Sequence, residues 1–110
     1  MRPVSVGVSP PAGVTTAIYT VPTGYYALFN LLYVHNTGAN NKYLTVQWYD
    51  ASAASSTDIL TQVPYASKTY TQFDSAYVVM EEGDELRVMP EADSEFAIIA
   101  TFEQIGLTRQ

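Results

Sequence analysis

The chain has 110 residues, a length that allows one domain with one hydrophobic core. It is 47% hydrophobic but only 15% charged, below the ~25% of ordinary soluble domains, and its net charge is −6. An acidic chain repels phosphates, and no apolar run reaches the ~18 residues of a membrane helix, so we expect no nucleic acid or membrane partner. The shortage of charge indicates instead that protein contacts cover part of the surface.

Two β-type segments open the chain, and each ends in turn residues. Residues 4–8 alternate valine with Ser5 and Gly7, which is the period of a strand, and two prolines follow. Residues 14–21 are rich in β-branched side chains, which favour strands. Residues 22–24 (PTG) then predict a turn in which Gly24 takes a positive φ.

Residues 25–35 are apolar at both odd and even positions, unlike a strand with one face in water. We therefore expect cover on both faces, the second supplied by another subunit. A buried helix is the alternative, but the aromatic flanks and the loop of residues 36–41 (NTGANN) favour a strand. The two apolar sets are Phe29, Leu31 and Tyr33 on one side and Leu28, Leu32 and Val34 on the other.

The middle of the chain contains one clear strand and one weaker strand. Residues 43–50 place Leu44, Val46 and Trp48 on one face, with Trp48 as a core anchor. Residues 51–57 are small and polar and predict a loop, whereas residues 58–63 predict a weaker strand. Residues 64–74 predict an extended connection that contains one short strand.

The last third of the chain predicts three further strands. Residues 76–80 are again apolar at both parities, and residues 81–84 (EEGD) predict a hairpin turn with Gly83 at positive φ. Residues 86–88 form the return strand. Residues 95–102 form the final strand, with Phe96, Ile98, Ala100 and Phe102 on one face and residues 104–110 as a tail.

These segments predict an all-β fold with about eight short strands and no helix. The expected architecture is an antiparallel two-sheet sandwich, jelly-roll-like, that forms a single domain over residues 1–110. A small closed barrel is the alternative.

Residues for catalysis or metal binding are scarce. Cysteine is absent and His35 is the single histidine, so a nucleophile with a positioned base, a zinc site and a jelly-roll enzyme of the cupin kind are all disfavoured. The acidic group Glu81, Glu82, Asp84 and Glu85 lacks the spacing of a calcium loop and predicts a solvated turn. We therefore predict no enzyme, no catalytic residue, no metal and no cofactor.

Nine tyrosines recur along the chain. Tyrosine is common in strands and at protein interfaces, and exposed tyrosines also stack on sugars. Ordinary strand composition and interface residues are equally good explanations, and sugar binding is the weaker one.

Two stretches resemble small β-structured virion proteins of tailed bacteriophages. The first is residues 18–25 (IYTVPTGY) with the apolar strand and NTG that follow; the second is residues 79–88 (VMEEGDELRV), in which a GD turn precedes a strand. The resemblance covers a little over a quarter of the chain. It implies a capsid decoration (cement) protein or a small tail or fibre component, often trimeric, and it carries no catalytic residues.

The resulting hypothesis is a non-enzymatic virion structural protein, made in the host cytoplasm, that stabilises the shell by bridging neighbouring capsid proteins. We expect a homo-oligomer, with a trimer favoured, and a major capsid protein or other virion protein as partner. The alternative is a tail or fibre component that binds a receptor or glycan through exposed tyrosines such as Tyr65 and Tyr70. The predicted subunit interface is Tyr26, Phe29, Tyr33, Tyr77 and Val79.

Overall fold

The computed structural model describes residues 2–73 and 78–106. Within them the chain forms nine strands: β1 Arg2–Val8, β2 Thr16–Thr20, β3 Tyr25–Asn36, β4 Lys42–Asp50, β5 Ser55–Tyr65, β6 Tyr70–Phe73, β7 Val78–Met80, β8 Glu85–Pro90 and β9 Phe96–Gly106. No helix in this described part is long and apolar enough to cross a membrane. The all-β prediction is confirmed.

Two antiparallel sheets form the sandwich. One has the order β1-β9-β3-β6, with β7 also paired to β3, and the other has the order β2-β8-β4-β5. Strands that are neighbours in sequence are distributed between the two sheets, which is jelly-roll topology. Strands β6 and β7 pair with successive parts of β3, which explains why the described residues contain nine strands instead of about eight.

The core fills the space between the sheets. The predicted inward set of β9 is confirmed, because Phe96, Ile98, Ala100 and Phe102 are at most 2% exposed. From the opposite sheet, Leu44 and Val46 are fully buried, and Trp48 packs against the edge of the core. The ring of Phe102 stacks on Tyr19 with centroids 3.9 Å apart.

Two predicted boundaries and one predicted hairpin are wrong. The loop after β4 is shorter than residues 51–57, because Ser55 already pairs with Asp50 at an exposed edge, where backbone bonds need no apolar side chain. Strand β9 continues into the predicted tail, and Ile105 pairs with Tyr26. Residues 81–84 do not form a hairpin, since β7 and β8 belong to different sheets.

The positive φ predicted for two glycines is confirmed. Gly24 has φ of 87° and Gly83 has φ of 85°, a region that residues with a β-carbon avoid. The two turns lie side by side: Gly83 N donates to Val21 O at 3.1 Å, and Gly24 N donates to a carboxylate oxygen of Glu82 at 2.8 Å. This pairing closes one end of the sandwich.

Candidate interaction surface

The register of β3 shifts between Phe29 and Leu31, which leaves Asn30 as a bulge. Before the bulge, Ala27 and Phe29 point into the core; after it, Leu32 and Val34 do so. A bulge inserts one unpaired residue and so exchanges the inward and outward parities of a strand. The predicted grouping of Phe29 with Leu31 and Tyr33 is therefore wrong, because those two residues face outward and Phe29 faces inward.

Apolar side chains cover the outer side of the five-stranded sheet. Leu28 lies opposite Val79 of β7, and Tyr33 lies opposite Ile99 of β9. Side chains at such paired positions touch across a sheet. We call this surface the apolar face, and its members are Tyr26, Leu28, Leu31, Tyr33, Tyr70, Val79, Ile99 and Ile105.

Several of these side chains remain open to solvent. Tyr70 is 64% exposed, Val79 49% and Ile99 43%. The ring of Tyr70 stacks on Tyr33 with centroids 5.3 Å apart. One hydrogen bond, from Asn30 Nδ2 to a carboxylate oxygen of Glu103 at 3.2 Å, crosses the middle of the surface.

The structure brings three of the five predicted interface residues to one surface. Tyr26, Tyr33 and Val79 all belong to the apolar face. Phe29 is a correction: it is 7% exposed and packs on Phe102 with centroids 5.2 Å apart, so a second subunit cannot reach it. Tyr77 lies outside the described residues. Cover of this surface by a subunit remains a prediction.

The interface prediction omitted several members of the apolar face. Leu28 and Leu31 were recognised as apolar residues of β3, but the unseen bulge obscured which of them face outward. Ile99 could have been found from residues 97–101, since it is apolar at the outward parity of a strand whose inward set is clear. Ile105 fell in the expected tail.

The outer side of the four-stranded sheet differs in chemistry. Arg87 Nε donates to a carboxylate oxygen of Glu85 at 2.7 Å, and its guanidinium lies 3.9 Å from the ring centroid of Tyr49. Gln47 Nε2 donates to Asp58 at 3.0 Å. We call this surface the polar face, and its members are Thr45, Gln47, Tyr49, Asp58, Glu85, Arg87 and the apolar Met89.

One predicted surface acid is a buried structural group. Asp84 is 2% exposed, and its carboxylate accepts hydrogen bonds from Trp48 Nε1 at 3.1 Å, Ala51 N at 3.0 Å and Glu81 N at 2.9 Å. The prediction of a solvated turn is wrong for this residue. The carboxylate connects the turn before β8 to β4 and to the loop after β4.

The described residues contain no group of three or more His, Asp or Glu side chains arranged to hold a metal ion. Burial raises the pKa of Tyr65 above its ordinary value of 10.0. Burial also raises the pKa of Tyr19, against the opposing effect of a hydrogen bond that Gln104 Nε2 donates to its hydroxyl at 2.7 Å. Both phenols lie inside the sandwich, so they belong to the core rather than to an open site.

No protein-family model matches the chain, and the search of curated proteins finds no match. Solved structures do share the fold. A subunit of Bacillus endospore appendages, a family of disulfide-linked pili, is 16% identical with a TM-score of 0.59, over 97% of this chain and 87% of that one. Because this chain has no cysteine, it cannot form such disulfides.

Viral proteins share the fold as well. A chain of the infectious bursal disease virus Gx strain is 10% identical with a TM-score of 0.61, over 100% of this chain and 35% of that one. A pentameric capsid protein from metagenomic phage sequences is 16% identical with a TM-score of 0.50, over 96% of this chain and 62% of that one. This chain thus spans about a third of the bursal disease virus protein. At these identities the similarity establishes the fold alone.

Proposed function

We propose that the chain is a non-enzymatic structural subunit of a viral particle, a capsid decoration (cement) protein whose copies associate through the apolar face. The observation that carries the proposal is the chemistry of this surface. Leu28, Leu31, Val79 and Ile99 give apolar side chains to the outer layer of a sheet whose inner layer already builds the core, and polar groups interrupt this layer at Asn30, Thr101 and Glu103. Exposed patches of this kind mark sites of protein association.

Three-fold association would cover the apolar face with copies of itself. The polar face would remain solvated, and the rest of the surface would contact a major capsid protein or another virion protein. Decoration of this kind works by adhesion, since an added subunit that touches two shell proteins raises the free energy needed to separate them. The jelly-roll fold, which viral coat and pilus subunits share, is compatible with this role.

Light scattering coupled to size exclusion tests the association directly. We expect a mass of about three times 12.1 kDa, or a larger multiple of three copies. Tyr33→Asp places a charge on the apolar face beside Ile99 and should reduce the mass by breaking this contact. The strand signal in circular dichroism should persist, because the Tyr33 side chain lies outside the core.

Tyr49→Asp is the matched control on the polar face. The new carboxylate lies near the guanidinium of Arg87 but also opposite Glu85, so circular dichroism must show that this variant is folded. The mass of this variant should equal that of the wild type. A Tyr33→Asp protein that keeps the full wild-type mass would contradict the proposed interface.

The second candidate is a tail or fibre component that binds a glycan. The stacked pair of Tyr70 and Tyr33 favours it, since Tyr70 is 64% exposed and offers an aromatic surface to a sugar ring. Tyr65 does not contribute as expected, because it is 4% exposed and its ring packs on Phe96. A glycan array without binding would leave the structural role as the better assignment.

A further inference from the structure

Charge is distributed unevenly along the sequence. Residues 3–41 contain no Asp, Glu, Lys or Arg, whereas all 11 acidic residues lie between positions 50 and 103. Beyond Arg2, strands β1, β2 and β3 are therefore free of formal charge. Strands β1 and β2 lie at the edges of the two sheets, so they place the uncharged segment along one side of the sandwich.

Strand β1 is an open and regular edge. It pairs with β9 from Arg2↔Gln104 to Val8↔Ile98 without a register shift. Among the described residues, no strand pairs with its other side. An edge strand with regular pairing presents a row of unpaired N–H and C=O groups, which is a template for another strand.

The other four edge strands differ from β1. Strand β2 has five residues and a register shift between Ala17 and Tyr19. Strand β5 has Asp58, two register shifts and Gln62 at φ of 47°. Strands β6 and β7, which both pair with β3, have four and three residues. Shortness, bulges, proline and charge are the devices that protect edges from pairing; strand β1 has Arg2 and Pro3 at its start, and its residues 4–8 pair regularly with neither proline nor charge.

The core-facing side of β1 is also incompletely covered. Val4, Val6 and Val8 pack against the core but are only half-buried. The corresponding inward residues of the adjacent strand, Phe102, Ala100 and Ile98, are at most 1% exposed. A strand added beside β1 would cover the open sides of these valines and satisfy the backbone groups at the same time.

We propose that β1 is a strand-addition site for a second copy of this chain, with the two β1 strands antiparallel about a two-fold axis. Charge identifies the occupant: copies with a net charge of −6 repel one another, and an edge that is uncharged beyond Arg2 allows them to approach. The partner strand must itself pair regularly and without charge, and among the described edge strands residues 4–8 of β1 form the longest such stretch. Self-pairing uses a single surface and closes as a dimer.

This inference does not depend on the proposed function, because an edge and the apolar face are different surfaces. If both contacts form with the two-fold axis perpendicular to the three-fold axis, the two axes together generate an assembly of six copies. Because Gly7 pairs with Ile99 of the apolar face, the β1 contact is tested in the Tyr33→Asp protein, in which the apolar face no longer associates.

The test introduces like charges at outward positions of β1. Ser5→Lys with Gly7→Lys would oppose lysines across the two-fold axis. A side chain fits at Gly7, whose added β-carbon would meet Ile99 Cγ1 at 3.9 Å, an ordinary contact. We expect the Tyr33→Asp protein to be a dimer and the same protein with both lysines to be a monomer. Tyr33→Asp with Ser56→Lys, on the edge strand β5, is the control and should remain a dimer.

A second measurement uses the absence of cysteine. Single cysteines are placed at residues 4 to 8, one at a time in the otherwise wild-type protein, and the protein is oxidised. Paired residues in antiparallel strands have Cα atoms about 4.5–5.5 Å apart, within the range of a disulfide. We expect the yield of linked dimer to peak at one position, the residue on the two-fold axis.

Two results would overturn the proposal. One is a monomeric Tyr33→Asp protein at concentrations where the wild type is assembled. The other is a cysteine series with no position above the yield of a Ser56→Cys control. If Tyr33→Asp converts the wild-type assembly to a monomer, the apolar face is the one contact between copies. This result would therefore separate the two hypotheses.

Discussion

The two outer faces of the sandwich both belong to antiparallel sheets, yet they present different side chains to the solvent. On the polar face, Arg87, Glu85 and Tyr49 contact one another, and Gln47 bonds to Asp58. On the apolar face, aliphatic and aromatic side chains lie next to each other, and the side-chain hydrogen bonds on this side of the sheet include Asn30 with Glu103 and Ser5 with Thr101. An antiparallel sheet needs only one buried face, so an apolar second face is unnecessary for folding of the subunit.

This difference separates stability from association. Residues of the polar face contribute to the free energy of unfolding through contacts within the chain. Residues of the apolar face contact one another, as Tyr33 and Tyr70 do, and under the proposed function they would gain further contacts from another copy. Substitutions on the polar face should therefore change the free energy of unfolding, whereas substitutions on the apolar face should change the mass in solution.

The largest expected loss of stability is at Asp84, in the turn before β8 of the four-stranded sheet. Asp84→Ala leaves the N–H groups of Trp48, Ala51 and Glu81 without their acceptor. We expect a loss of about 3 kcal/mol in the free energy of unfolding, measured by urea denaturation. Asp84→Asn should lose less free energy of unfolding, because its amide oxygen can still accept some of these hydrogen bonds. Equal losses in the two variants would show that the hydrogen bonds to the carboxylate do not stabilise the fold.

A smaller effect is expected on the polar face itself. Arg87→Ala removes an ion pair and a cation–π contact at a partly exposed position, which together contribute about 1 kcal/mol. Added salt should narrow the difference from wild type. Ile99→Ala on the apolar face is the comparison, and its unfolding at a concentration where the chain is monomeric should change by less than about 0.5 kcal/mol. A larger loss in the free energy of unfolding for Ile99→Ala would show that the apolar face also stabilises the single chain.

The smallest effect concerns the interior that both sheets share. The hydroxyl of Tyr65 is buried and has no hydrogen-bond partner among the described residues, so Tyr65→Phe should be neutral or stabilising by about 1 kcal/mol at pH 7. Because burial raises the folded-state pKa of Tyr65 above 10.0, the unfolded chain loses its phenolic proton first as the pH rises.

The stability contributed by the neutral phenol is therefore complete below pH 10 and decreases above it. Urea titrations at pH 9 and pH 11 should show that the free energy of unfolding decreases less between the two pH values for Tyr65→Phe than for the wild type. An identical loss in both proteins would contradict the assigned cause.

The strands were predictable from the sequence because their chemistry is local. Alternation identified β4 and β9 with their inward residues, and glycine identified the turns at Gly24 and Gly83. The apolar character of β3 at both parities was also visible. Its division into inward and outward sets was not, because the bulge at Asn30 depends on pairing with β9, which lies far away in the sequence.

Asp84 escaped prediction for a related reason. Its neighbours in sequence are polar and suggest a solvated hairpin. Its actual donors come from Trp48 and Ala51, which reach it only when the chain crosses from one sheet to the other. The resemblance to virion proteins suggested the fold class correctly, but it could not identify which side of which sheet is uncovered.

The bulge in β3 has a practical consequence for anyone comparing this chain with a relative. In β3, core residues have odd numbers up to Phe29 and even numbers from Leu32 onward. A relative without the extra residue must be aligned with a gap at Asn30. If the gap is placed elsewhere, the alignment matches interior positions of one protein with surface positions of the other, and a change that is harmless in one protein is scored as damaging in the other.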